Sequence, residues 1–327
     1  NSKQLQAINK TRGPVLVVAG AGTGKTSVIT ERINLLLSKG TPPNSILALT
    51  FTEKAASEMI DRLGDVVGFM PEMPVMTFNA YGESLLRKYG TDIGLNRNFK
   101  VMGESAQLIF LRDRLDQLKL DYFSPISMPD GLLSDLSNYF STLKQNVITP
   151  EEYISYATKL TEKDEAEKLD KTKHLELAFA YKTYIELSRE SNLIDYDDQI
   201  YLVIELLRKR PNILKEIASG YEYVMVDEYQ DTNTMQSLVV DMVSSAKSNV
   251  FVVGDDDQSI YGWRGATLAN ILNFKSRYPE AEEITLTENY RSSQEILDSA
   301  YNLIQNNNPY RLEAKLKINK KLKAQKH

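Results

Sequence analysis

The feature that most constrains the fold is a short apolar run that leads into a glycine-rich turn and then into a helical pattern. Residues 15–18 are all apolar, residues 19–26 read Ala-Gly-Ala-Gly-Thr-Gly-Lys-Thr, and the helical pattern covers residues 25–38. In a strand–turn–helix segment, the backbone N–H groups of the turn and the helix N-terminus attract phosphate. The segment therefore predicts a phosphate-binding cradle at the carboxyl end of a strand.

Short apolar segments alternate with helical patterns over most of the chain. Such strands between helices indicate a parallel sheet that is covered on both faces. Residues 91–189 differ, because they carry long amphipathic patterns and few β-branched runs, which predicts an all-helical insertion. Further strands are predicted at residues 46–50, 74–77, 223–226, 250–253 and 283–286, and helices at residues 53–63, 78–88, 106–118, 165–189, 267–277 and 293–306.

Composition excludes several classes of protein. The 327 residues are enough for about two domains, and no apolar run approaches the roughly 18 residues of a membrane span. The chain has no cysteine, which excludes disulfide scaffolds, thiolate zinc sites and cysteine nucleophiles and fits a reducing cytosol. Two histidines leave little for a histidine metal cluster or a Ser-His-Asp triad. We therefore predict a cytoplasmic protein without a membrane partner.

Charge is unevenly distributed. The net charge is −5, but residues 311–327 carry seven basic side chains and one acidic one, so residues 1–310 carry −11. Nucleic-acid binding would thus need a local groove and stacking instead of a global basic field. The basic end could bind phosphate, although such a run is more often solvated. No other part of the sequence shows a pattern that would pack with the segment after Asn307.

Two residues of the phosphate cradle can handle a nucleotide directly. Lys25 can reach the β- and γ-phosphates, and the Thr26 hydroxyl can bind Mg²⁺. Ala19 stands where the general P-loop pattern has glycine. A glycine-rich turn by itself can also be no more than the start of a helix. Because Gly-Lys-Thr lies between a strand and a helix, we predict a P-loop.

A pair of adjacent carboxylates, Asp227 and Glu228, follows the apolar segment 223–226. In P-loop sites the first carboxylate holds Mg²⁺, and the second orients or deprotonates the attacking water. Such a pair is common on surfaces, so the assignment depends on its place at a strand end, where open α/β sheets bind ligands. Together with Lys25, the pair predicts phosphate hydrolysis.

A polar and aromatic segment follows the apolar residues 250–253. Gln258 can sense the γ-phosphate or the attacking water, or else lie exposed in an acidic turn. Tyr261, Trp263 and Arg264 come next, and flat rings beside a cation suit stacking on unpaired bases. Trp263 could instead anchor a core.

Five stretches together resemble the UvrD/Rep/PcrA type of superfamily 1 DNA helicase: residues 19–26, 49–56, 227–232, 253–266 and 288–292. Their order and spacing match the family, whose P-loop also tolerates Ala19, and the likeness covers nearly the whole chain. The resemblance implies a RecA-like P-loop NTPase domain with a parallel sheet (1A, residues 1–90 and 190–282), interrupted by an all-helical insertion domain (1B, residues 91–189). Residues 283–327 would begin a second, truncated RecA-like domain (2A).

The resemblance also implies residue roles. Gln4 would read adenine, Tyr290 would stack on the base, and Arg291 would reach the γ-phosphate from the facing domain. Asn79 and Ala80 stand where the family usually has His and Ser, and residues 195–198 fit a family segment or a plain acidic turn. The implied sets are catalytic Lys25, Asp227, Glu228, Gln258 and Arg291; ATP-binding Gln4, Gly20, Ala21, Gly22, Thr23, Gly24, Lys25, Thr26, Ser27, Tyr290 and Arg291; Mg²⁺-binding Thr26 and Asp227; and DNA-binding Phe51, Thr52, Phe78, Asn79, Tyr261, Trp263 and Arg264.

The function implied by the resemblance is ATP-dependent translocation along single-stranded DNA and unwinding, 3′ to 5′. The chain would be the N-terminal part of a longer protein, with further helicase domains as its partners. By itself it is expected to hydrolyse ATP feebly and not to unwind. Two alternatives stay open: a nucleotide- or DNA-binding module, and the motor part of a helicase–nuclease complex. The sequence does not indicate a repair or recombination partner.

Overall fold

A computed structural model describes residues 1–67, 72–123, 129–262 and 265–325. The chain divides into two compact units: Asn1–Tyr81 together with Arg210–His327, and Gly82–Lys209. The sequence-based boundaries of domains 1A, 1B and 2A stay predictions.

Strands and helices alternate in the first unit, and helices dominate the second. The strands are β1 (Val15–Ala19), β2 (Ile46–Thr50), β3 (Val75–Thr77), β4 (Lys100–Val101), β5 (Leu193–Ile194), β6 (Tyr223–Val226), β7 (Val250–Gly254), β8 (Glu282–Leu286), β9 (Glu288–Asn289) and β10 (Lys323–Ala324). The α-helices are α1 (Ser2–Asn9), α2 (Lys25–Ser38), α3 (Glu53–Val67), α4 (Phe78–Tyr89), α5 (Glu104–Arg112), α6 (Pro129–Gln145), α7 (Pro150–Lys159), α8 (Glu165–Glu190), α9 (Asp198–Lys209), α10 (Pro211–Gly220), α11 (Thr234–Val243), α12 (Ala269–Leu272), α13 (Phe274–Arg277), α14 (Gln294–Ile304) and α15 (Leu312–Leu316).

The first unit is built on a six-stranded parallel sheet. Its strand order is β3-β2-β6-β7-β1-β8. Every residue of β1, β2, β6 and β7 is buried, as expected for apolar strands that are covered on both faces. The predicted α/β fold class with a parallel sheet is confirmed. Because the strands are parallel, the residues that follow β1, β2, β6 and β7 meet at one edge.

Two helix predictions are wrong. The segment 106–118 is not one continuous helix, because α5 ends at Arg112 and a separate 3-10 turn covers Leu115–Leu118. The segment 267–277 forms two short helices, α12 and α13, which are separated by Asn273 with φ −102° and ψ 9°. Side-chain contacts outside the segment favour the break, because Asn270 donates to the Thr232 carbonyl at 2.9 Å and the Phe274 ring is fully buried. The apolar periodicity of the segment does not reveal these long-range contacts.

The basic segment near the C-terminus also differs from the expected solvated end. Arg311 and Lys320 are only 3% and 6% exposed. The short strand β10 pairs with β9 in parallel, with Lys323 opposite Glu288. The segment therefore packs against the rest of the first unit at these positions.

The second unit consists mainly of helices packed around aromatic side chains. Phe140 stacks on Tyr184 with ring centroids 5.2 Å apart, and both rings are buried. Lys144 is also fully buried, 2.6 Å from Asp195 and 2.7 Å from Asp198. Residues 195–198 are therefore not a simple exposed acidic turn, because Asp195 and Asp198 surround a buried cation. None of the described helices combines the length and apolar composition needed to cross a membrane.

Candidate functional site

The phosphate cradle connects β1 to α2. Gly22 and Gly24 have φ of 73° and 86°, a left-handed conformation that side chains with a Cβ rarely adopt. Thr23 is buried, and its hydroxyl donates to the Gly20 carbonyl at 2.8 Å, which closes the turn. Gly24 is the N-cap of α2 and has no side chain to cap the first N–H groups. The helix N-terminus is thus open to an anion.

The catalytic side chains predicted from distant parts of the sequence meet at the cradle. Lys25 Nζ lies 2.7 Å from Glu228 Oε2 and 3.2 Å from Gln258 Oε1. The Thr26 hydroxyl donates to Asp227 Oδ2 at 3.3 Å. These contacts follow from the sheet order, since β7 lies between β1 and β6 and all three strands end at the same edge.

Burial raises the pKa of two carboxylates at this edge. Burial and the neighbouring Glu228 raise the pKa of Asp227 to about 6, although Lys25 opposes the shift. Burial and Glu228 likewise raise the pKa of Asp231 to about 6. A hydroxyl oxygen beside a carboxylate oxygen, as in Thr26 and Asp227, is a donor set that suits a hard cation such as Mg²⁺.

An open cleft of about 490 Å³ adjoins the cradle. Gln4, Tyr290 and Arg291 contribute to its surface. Most residues predicted to bind ATP contribute to this cleft, together with Arg62, which the sequence analysis did not identify. Its lining is Gln4, Ala21, Gly22, Gly24, Lys25, Thr26, Ser27, Arg62, Glu228, Gln258, Tyr290 and Arg291.

Helix α1 positions Gln4 at the cleft. The buried Arg32 of α2 donates to the Ala7 carbonyl at 2.9 Å, which holds the end of α1. Gln4 Nε2 donates to the Thr23 carbonyl at 2.9 Å. At the start of the helix, Asn1 donates to the Tyr290 hydroxyl at 2.9 Å. The two residues predicted to contact the base are therefore held on the same side of the cradle.

Two connecting residues are absent from the set predicted from the sequence. Gln230 donates to Glu228 Oε2 at 2.9 Å and accepts from the Asp255 N–H at 2.9 Å, so it links the ends of β6 and β7. Asn289 donates to the Ala21 carbonyl at 2.6 Å and fixes the cradle. Gln230 and Asn289 both lie within the family-like stretches 227–232 and 288–292, which is the signal that could have identified them.

The residues predicted to bind DNA differ in their exposure to solvent. Phe51 and Tyr261 stack at 5.2 Å between ring centroids, and both are partly exposed. Thr52 is exposed and its hydroxyl accepts from the Ala55 N–H at 3.1 Å. Asn79 is partly exposed, whereas Phe78 is 3% exposed, so its ring lies in the core. The predictions for Trp263 and Arg264 lie outside the described residues.

Comparison with known proteins agrees with this architecture. The chain matches the family model of the UvrD/REP helicase N-terminal domain over residues 1–279. It is 39% identical over 311 residues to the ATP-dependent DNA helicase PcrA of Leuconostoc citreum, covering 94% of this chain and 39% of that protein. It is 38% identical over 309 residues to the PcrA helicase of Staphylococcus aureus strain Mu50, covering 94% and 40%. The chain thus spans about two-fifths of the length of these relatives. It belongs to the UvrD/REP helicase family, whose N-terminal domain it contains.

Proposed function

We propose that this chain binds and hydrolyses ATP with Mg²⁺ as part of a motor that translocates along single-stranded DNA and unwinds duplexes. The observation that carries the proposal is the meeting of Lys25, Glu228 and Gln258 at the open N-terminus of α2. The relatives named ATP-dependent DNA helicases support the same activity.

The proposed chemistry begins with a competition for Lys25. Its ammonium group contacts Glu228 at 2.7 Å, so a phosphate that binds Lys25 draws it away from that carboxylate. Glu228 then accepts a hydrogen bond from the attacking water and directs it toward the γ-phosphorus. Gln258 would hold the water or a γ-phosphate oxygen through its amide, and Arg291 would contact the γ-phosphate.

The metal site of the proposal consists of Thr26 and Asp227. Bound Mg²⁺ neutralises the negative charge that builds up on the phosphate oxygens. Asp227 is 4% exposed, and burial together with Glu228 raises its pKa more strongly than Lys25 lowers it. Both observations favour a cation at this position.

The remaining parts of the proposal follow from family membership. The proposal includes domains 1A, 1B and 2A and movement from 3′ to 5′. It also includes further helicase domains as partners and a cytoplasmic location. A nucleotide- or DNA-binding module would keep the cleft but not turn over ATP. A helicase–nuclease complex would need a nuclease elsewhere in the assembly.

Phosphate release from ATP, measured with and without single-stranded DNA, tests the proposed function. We expect slow hydrolysis by this chain, lost when Lys25→Met removes the phosphate contact. Lys39→Met is the matched control, because Lys39 is exposed at the other end of α2. ATP binding without hydrolysis would support the binding module, and equal activity in the wild type and Lys25→Met would contradict the assigned site.

Removal of either ring of the Phe51–Tyr261 pair is expected to weaken binding of single-stranded DNA. Stacking of a base on an aromatic ring contributes about 1–3 kcal/mol, so Phe51→Ala or Tyr261→Ala should raise the Kd about 5- to 150-fold. Fluorescence anisotropy of a labelled oligothymidine at fixed salt concentration measures the change. Tyr310→Ala, which removes a ring that is 71% exposed, serves as the control. Equal Kd values for all variants would show that DNA binds elsewhere.

A further inference from the structure

A buried ion cluster joins the basic segment near the C-terminus to the end of β7. Lys320 Nζ lies 2.6 Å from Asp255 Oδ1 and 2.7 Å from Asp257 Oδ2, and it also contacts Asp256. Arg311 binds both oxygens of Asp257 at 2.7 Å. We name these five residues the tail clamp.

The positive charge of Lys320 compensates the repulsion among three neighbouring buried carboxylates. Oxygens of Asp255, Asp256 and Asp257 lie within 4.8 Å of one another, close enough to hold a cation. The Lys320 ammonium occupies this position with contacts to all three. Burial alone would lower the pKa of Lys320, but the three carboxylates outweigh it and raise the pKa. The cluster is therefore held together by a protein cation.

The tail clamp contacts a residue of the candidate site directly. Asp255 Oδ2 accepts a hydrogen bond from Gln258 Nε2 at 2.6 Å, while Asp255 Oδ1 contacts Lys320. The other end of the same amide, Gln258 Oε1, accepts from Lys25 at 3.2 Å. An amide whose NH₂ group is fixed has its oxygen fixed as well. Asp255 thus determines which atom of Gln258 points toward Lys25.

We propose that Lys320, supported by Arg311, is a positioning residue for ATP hydrolysis that acts by holding Asp255 and thereby orienting the Gln258 amide. The inference rests on the proposed function, because it gives Gln258 its task at the γ-phosphate. It assigns a catalytic contribution to a segment that lies more than 50 residues after Gln258 in the sequence.

Loss of Lys320 would act on Gln258 by removing the contact that fixes Asp255 and by leaving charge uncompensated. Three carboxylates with one remaining cation, Arg311, repel one another in a buried place. Asp255 then turns toward solvent or takes up a proton. In the first state it leaves the Gln258 amide, and in the second its O–H can donate to the Gln258 amide oxygen, so the oxygen is no longer held toward Lys25. The orientation of Gln258 becomes variable while the cradle is unchanged.

A double-mutant cycle in single-turnover ATP hydrolysis tests the proposal. We expect Lys320→Met to lower the hydrolysis rate constant about tenfold, with the KM for ATP within about twofold. In a Gln258→Ala background the same substitution should have no further effect, since its target is missing. Lys315→Met, at an exposed position of the same segment, should match the wild type. Independent losses that multiply would overturn the proposal, because Lys320 would then act without Gln258.

A second readout does not depend on hydrolysis. The side-chain amide of Gln258 is assigned in a ¹⁵N–¹H spectrum by its disappearance in Gln258→Ala. We expect slow exchange of the NH donated to Asp255 in the wild type and in Lys315→Met, and fast exchange in Lys320→Met. An unchanged signal in Lys320→Met would overturn the proposal. If no variant hydrolyses ATP, the proposed function fails, and this signal still decides whether Lys320 orients Gln258.

One further variant separates positioning from folding. Lys320→Met together with Asp256→Asn removes a cation and one of the carboxylates that it compensates, so less repulsion remains. Asp255 still lacks its contact with Lys320. We expect this double variant to keep the unfolding temperature closer to the wild type than Lys320→Met does, yet to show the same fast amide exchange. Recovery of slow exchange would show that Lys320 serves stability alone.

Discussion

Replacement of Glu228 by Gln is expected to slow ATP hydrolysis about a thousandfold while ATP binding stays within about twofold. General-base assistance contributes about 10²–10⁴ in rate, and a glutamine amide cannot accept the proton of the attacking water. Glu228 is the partly exposed carboxylate of the pair, with 36% of its side chain accessible, and it contacts Lys25. Its accessibility lets water reach it, whereas Asp227 is buried and faces Thr26.

Two measurements separate binding from chemistry in this variant. A fluorescent ATP analogue gives the dissociation constant, and quenched single-turnover reactions give the rate constant of hydrolysis. Glu280→Gln removes an exposed carboxylate of the same unit and should behave as the wild type. Asp231→Asn is the informative comparison, because Gln230 bridges Asp231 and Glu228. If Asp231→Asn abolished hydrolysis and Glu228→Gln did not, the water would be activated by Asp231.

The strands that carry the site could be predicted to within one residue at each end. Residues 46–50 and 223–226 match β2 and β6. A short, mainly apolar run between two helical segments is typical of a strand in a parallel sheet that is buried on both faces. The strand order was not predicted from the sequence, since it depends on which strands pair. The break at Asn273 was missed because the contacts of Asn270 with Thr232 cross 38 residues.

The candidate site shows the same division between local and long-range information. Asp227 and Glu228 could be predicted because they lie directly after β6, and Lys25 because it follows the glycine-rich turn after β1; parallel strands bring such positions together. Lys320 could not, because a lysine in a basic run is usually solvated and its carboxylate partners lie 63 to 65 residues earlier. Charge alone does not distinguish the buried lysine from its exposed neighbours.

Replacement of Lys144 by Met is expected to lower the free energy of unfolding of the second unit by about 3–5 kcal/mol at neutral pH. Lys144 is 0% exposed and contacts Asp195 at 2.6 Å and Asp198 at 2.7 Å. Methionine retains the length of the side chain but leaves two buried carboxylates without a cation. Breaking a buried ion pair by removing one partner is strongly destabilising for this reason.

The pH dependence of this loss follows from the pKa values of the two carboxylates. Burial and the charge of Asp195 raise the pKa of Asp198 to about 6, although Lys144 opposes the shift. Burial would also raise the pKa of Asp195, but Lys144 outweighs it and lowers that pKa. Without Lys144 the folded state holds protons more tightly than the unfolded state. The stability of the variant therefore falls as the pH rises from about 4 to 7, and the difference from the wild type is smaller at pH 5 than at pH 8.

Hydrogen exchange of amides in α6 and α8 measures the opening of this unit without unfolding the rest of the chain. Lys182→Met, on the partly exposed face of α8, should change the stability by less than about 0.5 kcal/mol. The decisive variant combines Lys144→Met with Asp195→Asn and Asp198→Asn, which removes all three charges. If uncompensated charge causes the loss, this triple variant recovers most of the stability and loses the pH dependence that comes from Asp195 and Asp198. If it stays as unstable as Lys144→Met at every pH, lost packing and not charge is the cause, and the ion cluster does not stabilise the helical unit as we infer.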